Sequence, residues 1–189
     1  GMDMAGVFET ARIACEMGYR SVVLQSGESA RYPTEEIAGL VRRIKKDLGL
    51  AVTLSLGERS RETYAAWREA GADRYLLRFE TSSREIFQRL KPDSSYDERM
   101  QCLRSLRELD CQVGSGIMVG LPSQTPEIIA DDILLMKDLE EAGGDTDHGA
   151  GDGPRGTGDG CRRARGERGG HVAGRPLGAQ KIEEQSRDA

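Results

Sequence analysis

The chain has 189 residues and a net charge of −5, which suits one domain with a substantial core and argues against binding nucleic acid or an anionic membrane. No apolar run reaches the roughly 18–20 residues that span a bilayer, and no signal peptide is recognisable. The four cysteines show no close pairing. Few cysteines and no export signal favour a cytoplasmic protein.

Hydrophobic periodicity extends to about residue 142 and then stops. The segment 143–189 holds 13 of the 24 glycines and no aromatic residue. It is too poor in apolar side chains to offset the entropy of ordering it. We therefore expect a domain over 1–142 and a disordered, low-complexity tail over 143–189. A shifted reading frame in the gene would explain the unusual composition of this tail. Both histidines fall in the tail, which excludes a Ser-His-Asp triad or a histidine metal site in the domain.

The domain alternates between helical and strand patterns. Apolar spacing and capping residues predict helices over 5–17, from Thr34 to Leu48, over 61–70, a short one from Ser82, one from Ser95 to Leu109, and one from Pro126. Strands are predicted over 21–25, 51–56, 73–81 and 111–120. Such alternation implies a parallel sheet with helical crossovers.

The two faces of the third predicted strand help to distinguish a barrel from an open sheet. Side chains alternate along a strand, so one face of 73–81 is apolar while the other carries Arg74, Arg78 and Glu80. Charges on a buried face need partners or a ligand, so this face predicts either an internal ion-pair network or an anion-binding lumen. One parity of the first two strands is also polar or small. This favours a partial (β/α) TIM-type barrel over an open doubly wound sheet.

Catalytic and ligand-binding residues usually lie at the carboxyl ends of parallel strands. Here those ends read Gln25-Ser26-Gly27-Glu28, Ser55-Leu56-Gly57-Glu58, Arg78-Phe79-Glu80-Thr81 and Gly120-Leu121-Pro122-Ser123-Gln124-Thr125. Each Gly-Glu alone fits an ordinary turn. Together, the carboxylates and arginines suggest a ligand with a positive group, a negative group and hydroxyls.

As a set, these strand ends resemble the radical S-adenosylmethionine (SAM) superfamily, in the branch that contains biotin synthase and the HydE-type [FeFe]-hydrogenase maturases. The segments that carry the resemblance are 23–28, 52–58, 72–81 and 118–125. The run Thr53-Leu54-Ser55-Leu56-Gly57-Glu58 and the doubled arginine of the third strand favour the HydE type over biotin synthase.

The resemblance implies that SAM binds across the strand ends. Its assigned contacts are Ser26, Gly27 and Glu28 for the methionyl amino group, Glu80 for the ribose, Arg99 for the methionyl carboxylate, and Ile117, Met118 and Gly120 along the adenine. Thr53, Arg74 and Arg78 would hold a small anionic or iron-containing substrate. The implied activity is use of a 5′-deoxyadenosyl radical in assembling the hydrogenase active site, together with other maturation proteins.

One family feature is missing. The family's 4Fe–4S cluster needs a Cys-x₃-Cys-x₂-Cys run, which this sequence lacks. We therefore assign no catalytic residue and no metal ligand, and we expect a truncated fragment that is inactive alone. The alternatives are a biotin synthase-like or methylornithine synthase-like radical SAM enzyme, and a non-catalytic (β/α) domain that binds anions.

Overall fold

The computed structural model describes residues 2–29 and 31–141. The predicted tail over 143–189 lies outside them, so the division into a domain and a tail stays a prediction. The elements are α1 (Met4–Glu16), β1 (Ser21–Gln25), α2 (Thr34–Leu48), β2 (Ala51–Ser55), α3 (Arg61–Glu69), β3 (Arg74–Leu76), α4 (Arg84–Leu90), α5 (Tyr96–Glu108), β4 (Gln112–Gly114) and α6 (Pro126–Glu141). None of these helices is long and apolar enough to cross a membrane.

The four strands form one parallel sheet in the order β1-β2-β3-β4. Thr53 lies opposite Arg74, which in turn lies opposite Gln112. Strand neighbours in space are therefore neighbours in the chain, joined by helices. This confirms the predicted parallel α/β arrangement.

One face of the sheet packs on helices. Val52 and Leu54 of β2 are fully buried, whereas Thr53 between them is half-buried. Tyr75 of β3 meets two aromatic rings of α3, that of Tyr64 edge-on at 4.9 Å and that of Trp67 stacked at 6.1 Å between centroids. Side chains of the opposite parity, such as that of Thr53, therefore point away from this helix layer. We call the surface that they form the open face.

The third and fourth strands are shorter than predicted. Regular pairing covers only 74–76 and 112–114, and it resumes at a single bridge between Glu80 and Ile117. At this bridge, Glu80 adopts a left-handed backbone with φ +68°. That conformation turns the chain out of the extended region after Phe79.

Two helix starts also differ from prediction. Pro33, not Thr34, occupies the cap position of α2, and no side chain caps it there. Ser83 rather than Ser82 caps α4, accepting from the Ile86 N–H. The N–H of Ser82 instead donates to the Asp132 carboxylate. Ser95 caps α5 as predicted, accepting from the Glu98 N–H.

Candidate functional site

The carboxyl ends of the strands bring together a set of charged side chains that we call the charged cluster. Its members are Glu28, Glu58, Glu80, Lys91 and Arg99. The predicted SAM residues Glu28, Glu80 and Arg99 therefore share one cluster, although 71 positions separate the first and last of them along the chain. Parallel strands produce this convergence because their carboxyl ends meet at one edge.

Glu28 follows β1 and is held in place by two neighbours. Its Oε2 accepts from the Glu58 N–H at 3.0 Å, and its Oε1 accepts from Arg99 Nη2 at 2.8 Å. Lys91 Nζ lies 3.6 Å from the same Oε1. Burial alone raises the pKa of Glu28, but the Glu58 N–H and the cations Arg99 and Lys91 outweigh it, so the pKa is lowered overall.

Gly57 explains how the first two strand ends approach so closely. Its φ is +78°, and a Cβ at this position would collide with the Glu28 carboxylate and lie 2.9 Å from the Glu28 Cα. From the helix layer, the hydroxyls of Tyr75 and Tyr64 donate to the Gly57 carbonyl at 2.8 Å and 3.3 Å. Glycine is required here by both conformation and space.

Arg99 reaches the cluster from α5 and is only 2 % exposed. Besides Glu28, it contacts Glu58, whose Oε1 lies 2.7 Å from Nε, and the Arg78 carbonyl, at 3.4 Å from Nη1. The Nε–H is not directed at a hydrogen-bond acceptor among the described residues. A ligand carboxylate would therefore bind Arg99 by replacing one of these internal contacts.

Glu80 is the most unusual member of the cluster. It is 3 % exposed, and its Oε1 lies 3.8 Å from both Arg78 Nε and Lys91 Nζ. Its Oε2 is buried and has no hydrogen-bond partner among the residues that the structure describes. A left-handed backbone at a non-glycine residue costs about 1–3 kcal/mol, and such strain concentrates at ligand sites. An unpaired buried carboxylate oxygen suits a hydroxyl donor such as a ribose.

The predicted adenine segment lies beside Glu80 through backbone pairing. The Glu80 N–H donates to the Gly116 carbonyl at 3.1 Å, and the Met118 N–H donates to the Glu80 carbonyl at 2.8 Å. Ile117 is half-buried, whereas Met118 and Gly120 are exposed. Ser26 and Gly27, at the end of β1, complete the set, and the Ser26 N–H donates to the Ser55 carbonyl at 3.3 Å.

The predicted anion-binding residues lie on the open face. Arg74 Nε donates to Gln112 Oε1 at 2.6 Å, and no described carboxylate pairs with it. Arg78 is 56 % exposed and its carboxylate neighbour is Glu80. Glu80 thus takes part in an ion-pair network with Arg78 and Lys91, as one interpretation of this strand predicts, whereas Arg74 pairs with no described carboxylate. Thr53 lies next to Arg74 across the sheet.

Sequence reasoning missed four residues of this region: Glu58, Lys91, Gln124 and Asp132. Glu58 belongs to the strand-end segment Ser55-Leu56-Gly57-Glu58, but the resemblance assigned it no contact with SAM. Lys91 follows α4 at a position without any motif. Asp132 is fully buried in α6, and the detectable signal was an acidic residue beside an apolar helical run.

The described residues do not fit an iron–sulfur cluster. Cys15, Cys102 and Cys111 lie on separate elements, and no three potential ligands are grouped for a metal among residues 2–29 and 31–141. Burial raises the pKa of Cys111 to about 11, so this thiol stays protonated at neutral pH. We derive no step that passes through a cluster on these residues.

Three known proteins are similar to this chain in sequence or structure. The [FeFe] hydrogenase maturase subunit HydE of Thermotoga maritima is 49% identical over 132 residues, which cover 70% of this chain and 38% of HydE. Biotin synthase of Leptospira interrogans is 30% identical over 125 residues, 65% of this chain and 35% of that protein. The crystal structure of methylornithine synthase (PylB) superposes with a TM-score of 0.68 at 26% identity, covering 74% of this chain and 42% of PylB.

These similarities confirm the predicted fold class and the predicted branch. HydE matches better than biotin synthase, which represents one of the alternative enzymes. The chain spans less than half the length of each of these relatives. The sequence model of the Radical SAM superfamily matches residues 2–136. This match covers most of the chain, which therefore belongs to the radical SAM superfamily.

Proposed function

We propose that this chain carries the SAM-binding edge of a HydE-type radical SAM enzyme. The 49% identity to HydE over 132 residues supports this branch. By that similarity, the whole protein would act in maturation of [FeFe] hydrogenase, in the cytoplasm and with other maturation proteins. Bound SAM would supply the 5′-deoxyadenosyl group for radical chemistry.

The single observation that carries the proposal is the buried Oε2 of Glu80, which has no hydrogen-bond partner in the described part of the chain and lies on a residue paired with the exposed Met118. A carboxylate at this position accepts from the ribose hydroxyls, while the backbone at 117–120 lies along the adenine. Ser26, Gly27 and Glu28 take the methionyl amino group. Arg99 exchanges an internal carboxylate for that of the methionyl group.

Thr53, Arg74 and Arg78 form the proposed substrate site on the open face. Two guanidiniums, one on β3 and one just after it, provide paired donors for a carboxylate or another small anion. The exposure of Arg78 and the lack of a described carboxylate partner for Arg74 support this role. The substrate is then a small anionic or iron-containing compound that lies further along the sheet than SAM.

Calorimetric titration of SAM tests the proposal. We expect binding to the wild-type chain and at least about tenfold weaker binding to Glu80→Gln, since a hydrogen bond to a charged group contributes about 1.5–3 kcal/mol. Glu85→Gln is the matched control, because Glu85 is 82% exposed on α4. No binding of SAM to the wild type, or equal binding to Glu80→Gln, would contradict the proposal.

We also propose that these 189 residues alone do not cleave SAM, because they contain no Cys-x₃-Cys-x₂-Cys run. After incubation with iron and sulfide, we expect neither 4Fe–4S absorption nor release of 5′-deoxyadenosine. Appearance of both would refute this. A chain that bound small anions but not SAM would instead support a non-catalytic anion-binding domain, the alternative that the missing cysteines favour.

A further inference from the structure

A buried carboxylate behind the proposed adenosine site has no part in the function described so far. Asp132 of α6 is 0% exposed. Its Oδ1 accepts from the Thr81 hydroxyl at 3.2 Å and from the Ser82 N–H. These two residues directly follow Glu80. One oxygen of Asp132 thus fixes the chain just after the third strand end.

The other oxygen of Asp132 fixes the fourth strand end through Gln124. Oδ2 accepts from Gln124 Nε2 at 3.1 Å, and the same amide nitrogen donates to the Met118 carbonyl at 2.9 Å. Gln124 Oε1 accepts from the N–H groups of Gly120 and Leu121 at 2.8 Å and 3.2 Å. Gln124 therefore holds the loop over 118–121, and Asp132 holds Gln124.

The orientation of the Gln124 amide follows from its neighbours. Its oxygen faces two backbone donors and its nitrogen faces a carbonyl and a carboxylate. The opposite orientation would set donors against donors and acceptors against acceptors, and would leave all four contacts unmade. The carboxylate of Asp132 thereby fixes one arrangement of the loop.

We propose that Asp132 is the positioning residue for the adenosine half of SAM. Through its two oxygens it holds the chain that directly follows Glu80 and, by way of Gln124, the backbone at 118–121 in one relative placement, so that ribose and adenine meet a single preformed surface. The inference rests on the proposed binding of SAM and adds the residue that organises it. The methionyl contacts, Glu28 and Arg99, do not touch Asp132 and are independent of it.

Asp132→Asn separates this role from simple packing. The new side chain has nearly the same shape and retains one oxygen for Thr81 and Ser82. Its amide nitrogen, however, opposes the Gln124 amide nitrogen, which is also a donor. Gln124 must then rotate and abandon its contacts with Gly120 and Leu121. The loop should loosen while the fold is retained.

The experiment titrates wild type and Asp132→Asn by calorimetry with SAM and with its two parts, 5′-deoxyadenosine and L-methionine. We expect SAM and 5′-deoxyadenosine to bind about tenfold more weakly to the variant, since at least one buried hydrogen bond is broken. L-Methionine should bind equally well to both proteins. General destabilisation would not produce this split between the two parts.

The matched control is Asp131→Asn, because Asp131 is the exposed neighbour on the same helix; its affinities should equal those of the wild type. Gln124→Ala provides a second variant if Asp132→Asn fails to fold, and it should show the same split. The exchanged pair Asp132→Asn with Gln124→Glu should recover part of the lost affinity, because the new amide can donate to the new carboxylate.

The two failures are distinguishable. If the wild type binds neither SAM nor 5′-deoxyadenosine, the proposed function is wrong and the inference falls with it. If the wild type binds both, and Asp132→Asn and Gln124→Ala either leave the affinities unchanged or weaken both parts equally, only the positioning role of Asp132 is wrong.

Discussion

At the scale of the residue, Glu80 combines two costs that folding alone does not explain. Its backbone is left-handed, at φ +68°, and its Oε2 is buried without a described hydrogen-bond partner. Each feature lowers the stability of the ligand-free protein. A ligand hydroxyl would repay the second cost, which is why Glu80 stands at the centre of the proposed site.

Replacing Glu80 by glycine should therefore separate stability from binding. We expect Glu80→Gly to raise the free energy of unfolding by about 1 kcal/mol, because relief of backbone strain exceeds the entropic cost of glycine. SAM binding should be lost. Urea unfolding and calorimetry measure the two effects.

Asp110→Gly is the control for the backbone part of that effect. Asp110 also has a positive φ, of +54°, but its side chain is 97% exposed. It should gain stability without any change in SAM affinity. A Glu80→Gly variant that is less stable than wild type would show that the Glu80 side chain contributes to the fold rather than to a ligand site.

Glu28 makes the stability of this edge depend on pH. Its pKa in the folded protein lies below the ordinary value of 4.5, so its ionised form stabilises the fold above that pH. The stabilisation is lost as the pH falls through the folded pKa. The wild type should therefore exceed Glu28→Gln in unfolding free energy at neutral pH.

The difference between the two proteins should shrink steadily below about pH 4.5 in urea unfolding measured across the acid range. A difference that stayed constant, or grew as the pH fell, would mean that the Glu58 N–H and the two cations do not stabilise the Glu28 carboxylate.

At the scale of the element, Gly57 determines how closely β1 and β2 approach at their carboxyl ends. Gly57→Ala should destabilise the protein by more than the roughly 1–3 kcal/mol of a left-handed backbone alone, since the Cβ also collides with Glu28. Gly49→Ala supplies the comparison, because Gly49 has a φ of +65° and nothing within 4 Å of the added Cβ. Equal losses in thermal unfolding would rule out the collision as a constraint.

The sequence predicted helices and strands correctly wherever local periodicity determines them. Periodicity predicted the alternation of helices and strands, and side-chain parity placed Arg74 and Arg78 on the face away from the helices. Local patterns predicted neither that regular pairing of β3 ends at Leu76 nor that Glu80 is left-handed, because the apolar alternation continues to Phe79. They also placed the cap of α4 one residue early, since Ser82 donates to Asp132, 50 positions away.

The candidate site divides in the same way. Glu28 and Glu80 could be predicted because the resemblance attaches each to a strand-end segment, and Arg99 because the resemblance implies an arginine on the helix that follows Ser95. Lys91 and Asp132 could not, because their partners are distant in sequence and become neighbours only when helices cross the strand ends. The internal pairing of Arg99 with Glu28 and Glu58 likewise depends on the tertiary arrangement.

At the scale of the whole molecule, the sheet over the described residues has two edge strands, β1 and β4, and an open face. Val23 in the middle of β1 is 58% exposed. Unpaired sheet edges and exposed apolar side chains promote association. We expect the sedimentation coefficient of this chain to rise with concentration.

Val23→Lys should reduce that association, because it places a charge on the open face of an edge strand. Met17→Lys changes an apolar residue that is more exposed than Val23, at 70%, but lies beside the end of α1, and it should have a smaller effect. A sedimentation coefficient independent of concentration in the wild type would contradict association through the sheet.

The position of SAM on this edge is what the proposed roles of Glu28, Glu80 and Arg99 have in common. A crystal structure of the chain with bound SAM would decide it. We predict ribose hydroxyls within hydrogen-bond distance of Glu80, adenine along the backbone at 117–120, and the methionyl group between Glu28 and Arg99. SAM bound elsewhere, with Glu80 Oε2 still unpartnered, would contradict the account.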